Sequence, residues 1–154
     1  METIRHNTFK DHRGSYTPIS TTQLDKNWVQ TSISVNEKPF TFRGLHYQEV
    51  NPQTKYVKVI RGSIIDFMVD LETKEVEYCK VTDNEAVLIP NNKAHGFLTL
   101  EPNTIVVYLV DDIYNPENEK IIVWKNIPLV KEIIENNVQN FYNFVISEKD
   151  SIGK

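Results

Sequence analysis

The stretch Ile64-Ile65-Asp66-Phe67-Met68-Val69-Asp70-Leu71 sets Ile65, Phe67, Val69 and Leu71 on one face of an extended strand, with Asp66 and Asp70 on the other. The same period of two recurs at 56–61, 77–82, 86–89, 97–100 and 104–110. Short polar or Gly/Pro breaks separate these runs: Arg61-Gly62-Ser63, Asp83-Asn84-Glu85, Pro90-Asn91-Asn92 and Glu101-Pro102-Asn103. Many short strands at this spacing predict an all-β sandwich or barrel. One segment departs from the pattern. Leu129, Val130, Ile133 and Ile134 recur at helical spacing, and Pro128 just before them suits a helix start. A single short helix packed on the barrel is expected from 129 to about 137, while 141–146 reads either as its continuation or as a strand.

A chain of 154 residues is most simply one domain, residues 1–154, and a length like this buries about 68–70% of its unfolded surface. The formal net charge of −4 gives no global basic field for nucleic acid or an anionic membrane, so any anion site has to be a local cluster of cations. The single cysteine, Cys79, excludes an intramolecular disulfide framework and a Cys-based zinc knuckle, and is expected to pack within a strand. No apolar run approaches a membrane span. Met1-Glu2-Thr3-Ile4-Arg5-His6 lacks the apolar core of a secretory signal, so a cytoplasmic protein is expected.

Chemistry concentrates in Arg43-Gly44-Leu45-His46-Tyr47, in Lys55, and in Ala94-His95-Gly96-Phe97. A guanidinium, an ammonium and two imidazoles on a rigid β scaffold suit an anionic ligand that exchanges protons. A metal reading needs two or three imidazoles and a carboxylate. His46 is followed by Tyr47-Gln48-Glu49, so a paired His-x-His is absent. His95 offers a second nitrogen, but His6 and His12 look like surface residues and no third ligand is evident. No metal is therefore expected. Without one, an inward histidine suits a general base, because an unperturbed imidazole titrates near working pH. Arg43 and His46 do not share a strand face by simple alternation, so a turn or bulge at Gly44 has to aim them together.

These residues resemble the dTDP-4-dehydrorhamnose 3,5-epimerase family, cupin-fold enzymes that act on nucleotide-linked 4-keto sugars. The resemblance begins at Phe9-Lys10-Asp11-His12-Arg13-Gly14 and runs through Gln30, Phe42-Arg43-Gly44-Leu45-His46-Tyr47-Gln48 and Lys55-Tyr56-Val57. It continues in Gly62, Asp66 to Leu71, Ile89-Pro90, Ala94-His95-Gly96-Phe97 and Val107-Tyr108-Leu109. Tyr114-Asn115-Pro116-Glu117-Asn118-Glu119 and Ile146-Ser147-Glu148-Lys149-Asp150 complete it. It implies a cupin-type jelly-roll and a cofactor-independent isomerase of deoxysugar biosynthesis, supplying cell-surface polysaccharide. It implies that His46 removes a carbon-bound proton beside the C4 ketone, that Asp150 orients His46, and that Tyr108 is the acid on the opposite face. Lys55 is implied near the developing enolate oxygen. Arg43, His95, Gln30, Tyr16, Tyr114 and Glu119 are implied as substrate-binding residues. Arg13 is implied to reach the pocket of a partner subunit, in a homodimer that exchanges N-terminal strands.

The chain departs from the family pattern at Ser15-Tyr16-Thr17-Pro18, where two aromatics and a glutamate are usual, and at Ser32, where an asparagine is usual. Both departures fall on nucleotide recognition, so another nucleotide than dTDP is an open alternative. So are a single-centre epimerase, a ketoisomerase and a non-catalytic sugar-nucleotide-binding cupin. Asp150, four residues from the last residue of the chain, is expected to be loosely held.

Overall fold

The computed structural model describes residues 1–20 and 24–153. Its strands are β1 (Ile4–Arg5), β2 (Phe9–Asp11), β3 (Gly14–Tyr16), β4 (Gln30–Asn36), β5 (Phe42–Gln48), β6 (Lys55–Arg61), β7 (Ser63–Asp70), β8 (Val76–Thr82), β9 (Glu85–Ile89), β10 (Lys93–Thr99), β11 (Thr104–Val110) and β12 (Glu119–Ile121). Helices α1 (Pro128–Asn137) and α2 (Glu148–Ile152) follow them. Two five-stranded antiparallel sheets, in the orders β1-β9-β6-β11-β4 and β12-β5-β10-β7-β8, face each other as a jelly-roll sandwich. Strands β2 and β3 form a separate hairpin.

The central strands of the second sheet, β7 and β10, are buried on both sides. Ile64 and Met68 of β7 point inward and meet Val57, Val59, Val87, Ile89 and Val106 of the first sheet, with Val81 and Phe97. Ile65, Phe67 and Val69 point outward, where Trp124, Ile127, Val130, Ile134 and Val138 cover them. The apolar face of 64–71 is therefore the outer one, and Asp66 lies on the inner face, fully buried. Helix α1 starts at Pro128, whose missing N–H costs nothing at that position, and buries Val130 and Ile134 one turn apart.

Residues 141–146 are neither helix continuation nor a regular strand. Phe141–Asn143 forms a 3-10 turn, and Val145 makes only an isolated bridge with Thr41. Aromatic packing decides this, because Phe141 stacks on Trp124 at 6.3 Å and Phe144 meets both rings edge-on. His12 is exposed as expected. His6 is not simply a surface residue: it is partly buried and hydrogen-bonds the hydroxyl of the buried Tyr56. Cys79 packs against the inner core from β8, and burial pushes its thiol up to about 11.

Candidate active site

Between the sheets the interior divides in two. One end is filled by the aliphatic side chains just named. At the other end the inward positions turn polar: Ser32, Ser34 and Asn36 of β4, Lys55 of β6 and Tyr108 of β11 face Arg43 and His46 of β5 and His95 of β10. Two adjoining hollows of about 580 and 1030 Å³ share Ser32, His46, Lys55, Tyr108 and Tyr114 in their walls.

The bulge expected at Gly44 exists. His46 pairs with His95 and Arg43 with Phe97, so three steps on β5 match two on β10. The extra residue lies at Gly44-Leu45, whose peptide is cis. Two glycines cross there. A Cβ on Gly44 (φ 138°) would stand 2.5 Å from Gly96 Cα, and one on Gly96 would stand 2.8 Å from the Arg43 carbonyl oxygen. Backbone fills the space on both sides. Gly96→Ala is therefore expected to push β5 off β10, costing about 1–3 kcal/mol and lowering Tm by several degrees. A melting curve equal to the parent's would remove the close crossing from this account.

The crossing brings His46 opposite His95, and each imidazole has its own carboxylate. His46 Nε2 lies 2.7 Å from Asp150 Oδ1, and the Gly44 N–H donates to Asp150 Oδ2 at 3.0 Å. Burial works against an ionised Asp150, but the hydrogen bond and charge of His46 with the Gly44 amide outweigh it and hold the carboxyl below its ordinary range. A carboxylate only accepts, so in the neutral imidazole Nε2 carries the hydrogen and Nδ1 keeps its lone pair. Asp150 is not loosely held. It is the buried residue of α2, where the Ser147 side chain accepts from the Asp150 N–H as N-cap and Gly153 closes the helix in left-handed conformation. His95 Nε2 lies 2.8 Å from Asp66 Oδ2. Burial lowers the imidazole of His95 and raises the carboxyl of Asp66, disfavouring charge on both.

Lys55 is enclosed beside them. Burial brings its ammonium down to about 8, against the opposing pull of Glu119 and Asp66. Burial pushes the Tyr108 phenol well above its usual value, with Ser34 and Arg43 pulling back. Its ring meets His95 edge-on at 6.3 Å. Arg43 donates from Nε to the Oδ1 of buried Asn36 at 2.8 Å. At the mouth, the Tyr114 N–H donates to Gln30 Oε1 (3.0 Å) and the Tyr114 hydroxyl to Glu119 Oε2 (3.1 Å).

Nine of the eleven expected site residues therefore gather around this cleft: Gln30, Arg43, His46, Lys55, His95, Tyr108, Tyr114, Glu119 and Asp150. Arg13 and Tyr16 do not. They lie on the exposed β2–β3 hairpin, where Arg13 pairs with Asp11. Asp66, Gln48 and Lys149 lie in the resembling stretches but were given no site role, and Asn36 was missed altogether. Counting by twos would have found Gln48 from His46, and Asp66 from the inward Ile64 and Met68. Lys149 needed the helical form of α2, and for Asn36 no sequence signal stood out. Among the described residues, no three or more of His, Cys, Asp and Glu converge on one point as metal ligands would.

The family model for dTDP-4-dehydrorhamnose 3,5-epimerase matches residues 1–154. A dTDP-4-dehydrorhamnose 3,5-epimerase from Methanothermobacter thermautotrophicus is 34% identical over 134 residues, covering 82% of this chain and 70% of that protein. One from Neisseria gonorrhoeae is 33% identical over 133 residues, covering 82% of this chain but only 37% of the relative. The crystal structure of the enzyme from Bacillus anthracis, with TDP and PPi bound, superposes with a TM-score of 0.80. It is 28% identical, and the match covers 97% of this chain and 90% of that one. With its whole length matched, and with 34% identity to one relative, this chain belongs to the dTDP-4-dehydrorhamnose 3,5-epimerase family of isomerases.

Proposed function

We propose that the chain is an active epimerase of a nucleotide-linked 4-keto-6-deoxy sugar. The observation that carries this reading is that His46, with Nε2 held on Asp150 and Nδ1 left for substrate, shares one cleft with Lys55 and Tyr108. A proton beside a ketone is weakly acidic, and its removal gathers charge on the ketone oxygen. His46 Nδ1 takes that proton, and the electron pair of the C–H bond moves into an enolate. The Lys55 ammonium stabilises the enolate oxygen between the two sheets, where a positioned charge acts more strongly than in water. Tyr108, kept protonated by its burial, returns a proton to the other face of the carbon and inverts it. Arg43 meets the diphosphate. Asn36 occupies its Nε, so the two terminal nitrogens of its fork remain for phosphate oxygens. Gln30, His95, Tyr114 and Glu119 complete the binding walls.

Tyr108→Phe is expected to retain deprotonation and lose inversion by about 10²-fold or more. Deuterium would then enter the unchanged epimer, as NMR reads directly. An equal loss of both steps would take the acid role away from Tyr108.

The functional unit in this reading is a cytoplasmic homodimer in which the N-terminal hairpin, carrying Arg13 and Tyr16, completes the cleft of the other copy. Its support is the hairpin's position outside its own cleft and the exposure of Phe9 (62%) and Tyr16 (68%) on it. Light scattering tests it, and a monomer with full activity would overturn it.

The activity is tested by proton NMR of dTDP-4-keto-6-deoxyglucose with the protein in D₂O. Loss of the C3 and C5 signals with new sugar resonances is expected. Loss at one carbon would make it a single-centre epimerase. Exchange only with a different nucleotide would place the effect of Pro18 and Ser32 on base recognition. Absence of exchange across a panel of nucleotide 4-keto sugars would overturn the reading.

A further inference from the structure

Proton transfer as just described leaves a reset to be made. Each inversion leaves an imidazolium at His46 and a phenolate at Tyr108. Epimerising two carbons in one binding event requires that reset while the sugar is still in the cleft. Nε2 of His46 is occupied by Asp150, so the proton has to leave from Nδ1.

One group stands beside Nδ1. Glu119 Oε1 lies 3.8 Å away, and the Glu119 side chain is only 10% exposed. Its other oxygen, Oε2, accepts from the Tyr114 hydroxyl and from the ammonium of Lys149. Lys149 is 44% exposed and comes from α2, next in sequence to the Asp150 that holds Nε2. The two nitrogens of one imidazole thus face two carboxylates with different connections. Asp150 is buried and tied to backbone, whereas Glu119 leads outward through Lys149 and Tyr114 to the rim.

We infer that Glu119 is the proton exit for His46, relaying the proton from Nδ1 to solvent at the Lys149–Tyr114 rim. The inference rests on the epimerase reading and deepens it. The steps balance. The substrate carbon gives its proton to Nδ1 and keeps the electron pair as an enolate, and Tyr108 gives its hydroxyl proton to that carbon. Nδ1 then passes its proton to Glu119 Oε1, Glu119 passes it to solvent, and solvent returns one proton to the Tyr108 phenolate. A carboxylate shift of roughly 1 Å brings Oε1 within hydrogen-bond distance of Nδ1. Glu119 acts through His46 and is a positioning and relay residue rather than the base.

Glu119→Gln is the test, because the amide keeps the shape and can still accept from Lys149 and Tyr114 but cannot relay as a carboxylate. Rapid-quench measurement of deuterium uptake is expected to show a burst of about one exchange per site followed by slow turnover. The steady-state rate should fall at least tenfold more than the burst rate. Added imidazole or formate should restore it in proportion to concentration, and KM should change far less than kcat. A merely structural role for Glu119 predicts no burst and no rescue. Either that result or a steady-state rate equal to the parent's would overturn the relay. Absence of exchange by the parent protein on every nucleotide sugar would instead overturn the epimerase reading itself.

Discussion

His46→Ala is expected to remove carbon-proton exchange while the protein still folds and still binds nucleotide. Loss of a positioned general base is worth about 10²–10⁴-fold. Here the loss should lie at the upper end, since the other histidine in the cleft, His95, is committed to Asp66 at 2.8 Å. The fold survives because His46 belongs to neither apolar core, and Asp150 keeps the Gly44 amide as a partner. Asp150→Asn should reproduce much of the effect by a different route. An amide can donate to Nε2, which moves the ring hydrogen to Nδ1 and leaves no lone pair there for the substrate. Exchange rates by NMR in D₂O, beside nucleotide affinity by calorimetry, check both variants. Exchange by His46→Ala within tenfold of the parent would place the base elsewhere.

The second large effect has two opposite halves. Lys55→Met is expected to cut turnover by about 10²–10³-fold, the usual consequence of removing one group that stabilises an oxyanion. The same change is expected to make the protein more stable. Burial lowers Lys55 from 10.5 to about 8, a gap that corresponds to roughly 3 kcal/mol spent on keeping the ammonium charged inside the fold. Unfolded chain holds that proton more tightly than folded protein between pH 8 and 10.5. The cost is therefore complete below about pH 8, and stability rises with pH across that interval. Methionine, similar in length and uncharged, escapes the cost, so at pH 7 its melting temperature should exceed the parent's. Activity of the parent should fall as pH rises through about 8, when the ammonium is lost. A Lys55→Met protein less stable than the parent at pH 7, or a parent rate unchanged from pH 7 to 9, would contradict the assignment.

The strands were legible because alternation is local, and β6, β8, β9 and β11 lie within a residue of where their patterns set them. What alternation cannot say is which face points in. The aliphatic face of β7 turns out to serve α1, while the face bearing Asp66 serves the cleft. A polar residue on an otherwise apolar strand reads as solvent-facing unless the second layer is known. The catalytic set was legible only through resemblance. His46 and Asp150 are 104 residues apart, and nothing in Glu148-Lys149-Asp150 alone announces a buried carboxylate. Residues 141–146 misled because Phe, Tyr and Val favour strands in general, whereas these rings were recruited by Trp124.

The placement of Asp150 on α2 separates two things that commonly travel together. Both apolar cores are assembled from residues up to Val138, with Phe144 and Ile146 packed at the margin, and α2 adds to neither. A protein shortened before Glu148 would keep both apolar cores whole and lack the group that sets the tautomer of its base. Quality control that senses exposed apolar surface would be blind to the same damage. Integrity of this protein is therefore a question for an activity assay or a mass spectrum of the C-terminal peptide, and purified material judged only by its shape is not thereby shown to be competent.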